Sequence, residues 1–212
     1  MQLLAFFAIV GLAYATHEPE PTSHLPTQPW ANEAKYGIYQ DAWKSIEQSN
    51  ETLYYLAKAT YRNDTASWGS LFRCLSVRET RRDNETKTVW SEFIFRNASD
   101  DGKKTFNVTE EVKAISYYGY KNYTNAIQYN LGNGTNLTDP LVFSDGEICD
   151  LFYVPYADNR TGGYELWVNS KYIDNIPSCC NFILDFFAGK NRTVYNIYDK
   201  SVCNSTHIKS EK

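Results

Sequence analysis

The chain has 212 residues, 25 acidic and 21 basic, for a formal net charge of −4, which supplies no basic field for nucleic acid. Aromatic residues make up 16% of the chain, enough for a packed core in one domain rather than a disordered chain. The three histidines, His17, His24 and His207, all lie near the termini, which removes the base of a Ser-His-Asp or Cys-His centre and the ligands of a histidine zinc site from the body of the fold.

Residues Leu3 to Leu12 form an apolar run too short to span a bilayer, followed by Ala13-Tyr14-Ala15. This pattern predicts a secretory signal peptide over residues 1–15, although its first residues carry no Lys or Arg. The product is then expected to be secreted and extracellular, with no membrane anchor. Residues 16–29 hold four of the seven prolines and read as an N-terminal arm. A single domain is expected over 30–205, and a polar tail over 206–212.

Trp30 to Ile46 reads as helical in pieces. The period then shifts toward 2. Strands are expected at Thr52–Tyr61, Ser70–Arg78, Lys87–Arg96, Thr105–Tyr118, Asn125–Leu131, Leu141–Ser144, Ile148–Pro155 and Gly163–Asn169, all rich in Tyr, Phe, Val or Ile. Turn clusters such as Gly132-Asn133-Gly134 and Gly162-Gly163 separate them. Ile176 to Ala188 reads as a helix with Cys180, Ile183, Leu184 and Phe187 on one face. Eight short strands point to an antiparallel sheet that closes or sandwiches. An eight-stranded up-and-down barrel has a lumen able to hold one small ligand.

Asn-x-Ser/Thr occurs at Asn50, Asn63, Asn84, Asn97, Asn107, Asn122, Asn133, Asn136, Asn159, Asn191 and Asn204, eleven of 18 asparagines. Composition alone predicts about three, so the excess supports an N-glycosylated extracellular protein. Five cysteines, Cys74, Cys149, Cys179, Cys180 and Cys203, read as two bridges and one leftover thiol. Their spacing leaves the pairing open, with adjacent Cys179 and Cys180 competing for one partner. A metal cluster lacks both a CxxC motif and a nearby histidine.

Several acids interrupt aromatic stretches. In Gly163-Tyr164-Glu165-Leu166-Trp167-Val168, period 2 puts Glu165 and Trp167 on one face and Tyr164, Leu166 and Val168 on the other. Asn107 is a sequon and points outward, so Glu110, three residues on, points inward. Asp64 follows Tyr61, and the two share a face only if the strand bulges or ends there. The bland alternative puts each acid on a solvated face. If two or three face inward, unpaired buried carboxylates demand a cation, which Tyr and Trp faces also attract. A fatty acid would instead require an inward Arg or Lys.

These residues, together with Trp30-Ala31-Asn32-Glu33-Ala34, Gln40-Asp41-Ala42-Trp43-Lys44-Ser45, Lys58-Ala59-Thr60-Tyr61, Tyr118-Gly119-Tyr120, Cys149-Asp150, Tyr153-Val154-Pro155 and Asp174-Asn175-Ile176-Pro177, resemble the tick salivary lipocalins, and among them most the histamine-binding proteins. The resemblance runs from residue 30 to about 203. It implies an all-β, eight-stranded lipocalin barrel with a short N-terminal helix and a C-terminal helix, and bridges Cys74–Cys203 and Cys149–Cys180. It also implies two amine sites per barrel. Tyr61, Asp64, Trp68, Glu110, Tyr129, Asp139 and Glu165 match the tighter one, with Asp64 and Glu110 assigned to an imidazole, Glu165 and Tyr61 to an ammonium, and Trp68 and Tyr129 to stacking. One aromatic position is Leu137 here. At the looser site Ser45, Asp150 and Trp167 match, but a family acid falls at Ser49 and a family Phe at Ile127, so that site is expected to be altered or lost.

The function implied is sequestration of a biogenic amine, histamine first and serotonin as its rival, by a monomer without cofactor, metal or turnover. A lipid or eicosanoid scavenger, or a glycosylated inhibitor of a host protein such as a complement component, are the other readings. No nucleophile motif supports an enzyme.

Overall fold

The structure, a computed structural model, describes residues 28–131 and 134–203. The stretches expected to be a signal peptide and a polar C-terminal tail, most of the expected N-terminal arm, the three histidines and the sequons at Asn133 and Asn204 lie outside the described residues. The chain enters through α1 (Glu33–Tyr36), a 3-10 turn (Gly37–Tyr39) and α2 (Ala42–Ile46). Asn32 caps α1 by accepting from the Lys35 amide at 3.1 Å. Gln40, fully buried, then donates to the carbonyls of Trp30 and Val142 and accepts from Tyr120 Oη, which pins this entry segment to the barrel wall.

The strands follow: β1 (Leu53–Ala59), a two-residue hairpin β2 (Asn63–Asp64) and β3 (Gly69–Ser70), then β4 (Arg73–Asp83), β5 (Thr88–Arg96), β6 (Thr105–Ile115), β7 (Ala126–Asn130), β8 (Asn136–Ser144), β9 (Cys149–Val154), the turn α3 (Ala157–Arg160) and β10 (Gly163–Asn169). After them come α4 (Ser178–Ala188), β11 (Tyr195–Asn196) and α5 (Lys200–Cys203). From β4 to β10 each large strand pairs antiparallel with the next. β1 pairs with both β4 and β10, which closes an eight-stranded up-and-down barrel, and β11 adds onto β1. Closure removes the free edges and encloses a lumen.

Three strands differ from the sequence reading by more than two residues at an end. β4 starts at Arg73, not Ser70, and continues past Arg78 to Asp83, because the charged stretch finds a ladder partner in Thr88–Ser91 of β5. β6 stops at Ile115, short of Tyr118. β8 begins at Asn136 rather than Leu141, and Asn136 to Pro140 pairs residue for residue with Asn130 to Ala126 of β7. The composition Asn-Leu-Thr-Asp-Pro resembles a turn, but backbone pairing overrides propensity, and the result places Asp139 in the barrel wall.

Two apolar layers form. The first fills the barrel with Leu56, Leu75, Val89, Phe93, Phe95, Val112, Leu141 and Phe152 among others. The second lies outside it, where Cys180 and Leu184 of α4 pack with Tyr164, Leu166 and Val168 of β10. α4 therefore carries the expected apolar face, but it starts after Pro177, consistent with the bias of a pre-proline residue against helix. The bridges are Cys74–Cys203 and Cys149–Cys180, the pairing the resemblance implied, and Cys179 is free and exposed. Among the described residues no helix is long and apolar enough to cross a membrane.

Candidate functional site

Every residue of β10 is buried, and its two faces are buried for different reasons. Tyr164, Leu166 and Val168 lie under α4, while Glu165 and Trp167 face the lumen. α4 thus covers one side of the sheet at Glu165, and only the lumen cavity borders the other. Its Oε1 accepts from Tyr61 Oη and its Oε2 from Trp167 Nε1 at 3.0 Å. Gly163 makes the first of these contacts possible, since a Cβ there would lie 2.4 Å from the Tyr61 ring.

β1 ends at Ala59, and the chain turns through Tyr61 into β2. The strand end is what lets Tyr61 and Asp64 both turn inward, at 4% exposure each. Asp64 Oδ1 accepts from the amides of Ala66 and Ser67, at 2.8 and 3.1 Å, as in an Asx turn. Trp68 follows, buried against Phe93 and Phe95 at centroid distances of 5.0 and 5.3 Å. Glu110 stands opposite Ser91 in the β5–β6 ladder, half-buried, while Asn107 is exposed as strand parity requires. Tyr129 of β7 donates to Asp139 Oδ2 at 3.1 Å, and so does Tyr156, also at 3.1 Å.

The seven residues matched to the tighter site therefore run from the turn after β1 to β10, and their four carboxylates interact electrostatically. Burial raises the pKa of Asp64. Burial, then the Asp64 charge, raises that of Glu110. Burial, then the charges of Glu165 and Asp64, lift Asp139 well above the usual range. Burial pushes Glu165 up to about 7. Three oxygens of this group, Asp64 Oδ2, Glu110 Oε2 and Asp139 Oδ1, are buried without a hydrogen-bond partner. Such orphans cost free energy in the empty barrel and are acceptors aimed at a donor.

Trp68, Tyr129, Glu165 and Trp167 line a lumen cavity of about 80 Å³ that runs to Ser45 and Asp150. At roughly 12 Å³ per water position this holds on the order of six waters, room for a small heterocycle rather than a sterol. Tyr61, Asp64 and Tyr156 also line a basin at the barrel mouth, and Asn63, Asn159 and Asn191 stand around it. Asn63 is exposed, with Oδ1 held by Ser70 Oγ and the Leu71 amide. Asn97 differs from the other described sequons: it is half-buried, and its Nδ2 donates to the Trp68 carbonyl at 2.9 Å.

The residues matched to the looser site also converge. Asp150 stands opposite both Trp167 and Ser144 in register, is buried beside the Ser144 and Ser45 hydroxyls, and is pushed up to about 7 by burial. Ile127 lines the same cavity, while Ser49 is exposed outside it, and Leu137 packs against the barrel core.

Two polar residues escaped the sequence reading. Tyr156 follows Pro155 beyond the end of β9, where strand parity no longer indicates direction. Glu79 was readable, because Leu75, Val77 and Glu79 alternate on one face of β4, but the expected strand ends one residue before it, at Arg78. Glu79 is buried, and burial pushes it up to about 7.

These shifts imply a pH dependence of stability. Glu79, Asp150 and Glu165 titrate near 4 in the unfolded chain and near 7 in the folded one, so between those values the native state binds more protons. Stability is full below about pH 4 from these groups and is lost as pH rises through 7. Each contributes up to about 4 kcal/mol. Partly exposed acids with lowered values, such as Asp83 and Glu92, oppose this weakly. The ligand-free protein is expected to melt about 5–10 °C higher at pH 5 than at pH 7.5 by calorimetry. A higher Tm at pH 7.5 would contradict the burial of these acids.

Comparison with known proteins agrees with this architecture. Residues 30–205 match the family described as tick histamine binding protein. The male-specific histamine-binding salivary protein of Rhipicephalus appendiculatus is 39% identical over 180 residues, covering 82% of this chain and 86% of that one. Female-specific histamine-binding protein 1 of the same tick is 38% identical over 161 residues, covering 76% and 81%. Among solved structures, the AM182 serotonin complex superposes with a TM-score of 0.52 at 23% identity, over 74% of this chain and 89% of that one, a likeness of fold. On a closed lipocalin barrel with buried lumen acids and no catalytic constellation among the described residues, this chain belongs to the tick histamine-binding protein family.

Proposed function

We propose that this protein is a secreted scavenger that holds a biogenic amine, histamine first, in the barrel lumen by stoichiometric binding. One observation carries the reading: Asp64, Glu110 and Asp139 each present a buried carboxylate oxygen without a partner, within one group of acids that also includes Glu165. The ion pairs among the described residues are Arg78–Glu92 and Lys200–Asp174, so none of these four acids has a basic side chain as counterion. A cationic ligand with N–H donors supplies both the charge and the missing hydrogen bonds. Tyr61, Trp68 and Tyr129 add aromatic walls. An anionic lipid meets repulsion from the same oxygens, and a cavity of about 80 Å³ is small for it. The histamine-binding names of the relatives and the amino-terminal secretory pattern support the same conclusion. Serotonin is the competing amine.

The test is titration calorimetry of the glycosylated chain with histamine, serotonin and a fatty acid in parallel. Histamine should bind at pH 7.4 and lose at least about tenfold in affinity at pH 5, where the lumen acids must first release protons. Equal affinity at the two pH values, or a preference for the fatty acid, overturns the reading.

A further inference from the structure

Asp139 connects two spaces. Its Oδ2 accepts at 3.1 Å from Tyr129, which lines the lumen cavity of about 80 Å³, and at 3.1 Å from Tyr156, which lines the mouth basin of about 780 Å³. The two hydroxyls also contact each other. Tyr129, Asp139 and Tyr156 thus form a partition between a chamber fit for a small heterocycle and a much larger basin.

The two tyrosines are held differently. Tyr129 lies in β7 between Val112 of β6 and Leu137 of β8, so two ladders fix it. Tyr156 lies beyond the end of β9, ahead of a turn in which Asp158, Asn159 and Arg160 are left-handed, at φ of 48°, 55° and 68°. Three consecutive non-glycine residues in that region are costly, and such a backbone persists only where its surroundings hold it. Arg192 donates to the Gly162 and Thr161 carbonyls, Thr161 Oγ1 donates to the Asp158 carbonyl at 2.8 Å, and Ala157 is buried in the barrel core. A strained turn is therefore clamped with the Tyr156 hydroxyl turned in to Asp139.

Charge acts in the same direction. Arg62, Arg160 and Arg192 outnumber Asp64 and Asp158 on the basin wall, so an ammonium is better held among the lumen acids than beyond Tyr156. The candidate amines differ at their other end. A hydroxyindole exceeds an imidazole by a fused benzene ring, and a benzene ring is what the Tyr156 side chain places in the partition.

Resting on the amine reading above, we propose that Tyr156 is a specificity-determining residue: by closing the lumen cavity off from the mouth basin it sets the length of the ligand chamber, which admits an imidazole amine and excludes a hydroxyindole amine. The hydroxyl holds the ring in place, and the ring excludes.

Parallel calorimetric titrations of the glycosylated chain with histamine and serotonin at pH 7.4 test this through the ratio of the two affinities. The parent should prefer histamine. Tyr156→Ala joins the cavity to the basin and should move the ratio at least about tenfold toward serotonin. Tyr156→Phe keeps the ring and leaves Tyr129 to serve Asp139, and should move the ratio less than about threefold. Tyr156→Leu, of intermediate bulk, should move it at least about threefold in the direction of alanine, and replaces that variant if alanine fails to fold. A parent preference for serotonin, a phenylalanine variant that shifts as far as the truncated ones, or equal weakening of both amines on truncation, as a merely structural residue would give, overturns the role of Tyr156 and leaves the amine reading standing. Binding of neither amine by the parent overturns both.

Discussion

Replacing Glu165 by glutamine should weaken histamine binding about 100- to 1,000-fold at pH 7.4 while leaving the barrel intact. The magnitude is that of removing one member of a buried, hydrogen-bonded charge pair, about 2–5 kcal/mol. Glutamine is nearly isosteric, its carbonyl can still accept from Trp167 Nε1, and its amide can donate to Tyr61 Oη, so both side-chain contacts survive in altered form. The substitution removes a carboxylate that burial already disfavours in the ionised form. The unliganded variant should therefore melt at the same temperature as the parent at pH 7.5, or above it. Loss of affinity without loss of Tm separates ligand recognition from folding, and paired calorimetric titration and melting curves read both. An affinity within threefold of the parent would remove Glu165 from the ligand site.

The second large effect concerns the chain's C-terminal end. Substituting alanine for both Cys74 and Cys203 should cost about 5 kcal/mol, because their bridge closes a separation of 129 residues and restricts the unfolded chain accordingly. The Cys149–Cys180 bridge spans 31 and should cost about 4 kcal/mol. The native structure adds to the first figure. Cys203 is buried, the Cys74 amide donates to the Ile197 carbonyl at 3.0 Å, and Ile197 itself lies in the barrel core. Loss of the bridge therefore loosens β11 from β1 as well. Urea unfolding at pH 5, where the lumen acids are least costly, gives the cleanest measure. A destabilisation below about 1 kcal/mol would mean that the C-terminal segment is held by packing alone.

The fold was largely legible because a barrel strand carries its own signature. Alternating Tyr, Phe, Val and Ile located the large strands, and Cys180, Ile183, Leu184 and Phe187 located the helix. Legibility failed where pairing overrode composition. Glu79 to Asp83 and Asn136 to Pro140 lack apolar alternation, yet both run on in ladders, the first with a register shift at Thr80 and the second residue for residue. The two-residue strands β2, β3 and β11 are too short to show any period. Parity set Glu165 on the face of Trp167 and, with the Asn107 sequon outward, Glu110 inward, while a solvated face stayed open for each acid; Asp139 entered only through the family resemblance, because it precedes a proline in a stretch without alternation. Tyr156 left no signal at all.

By itself the sequence determined which residues alternate, where the chain turns, that the cysteines number two pairs and one extra, and that a few acids sit among aromatics. These are local properties, carried by side-chain period and residue type. Only the tertiary structure decided that β1 closes against β10, and with it that Asp64, Glu110, Asp139 and Glu165 share one lumen. It also decided which oxygens are already satisfied, by Tyr61, Trp167, Tyr129 and Tyr156, and which remain unpaired. The physical reason is distance. Convergence of side chains up to 104 residues apart is set by barrel closure and register, and no local pattern encodes it.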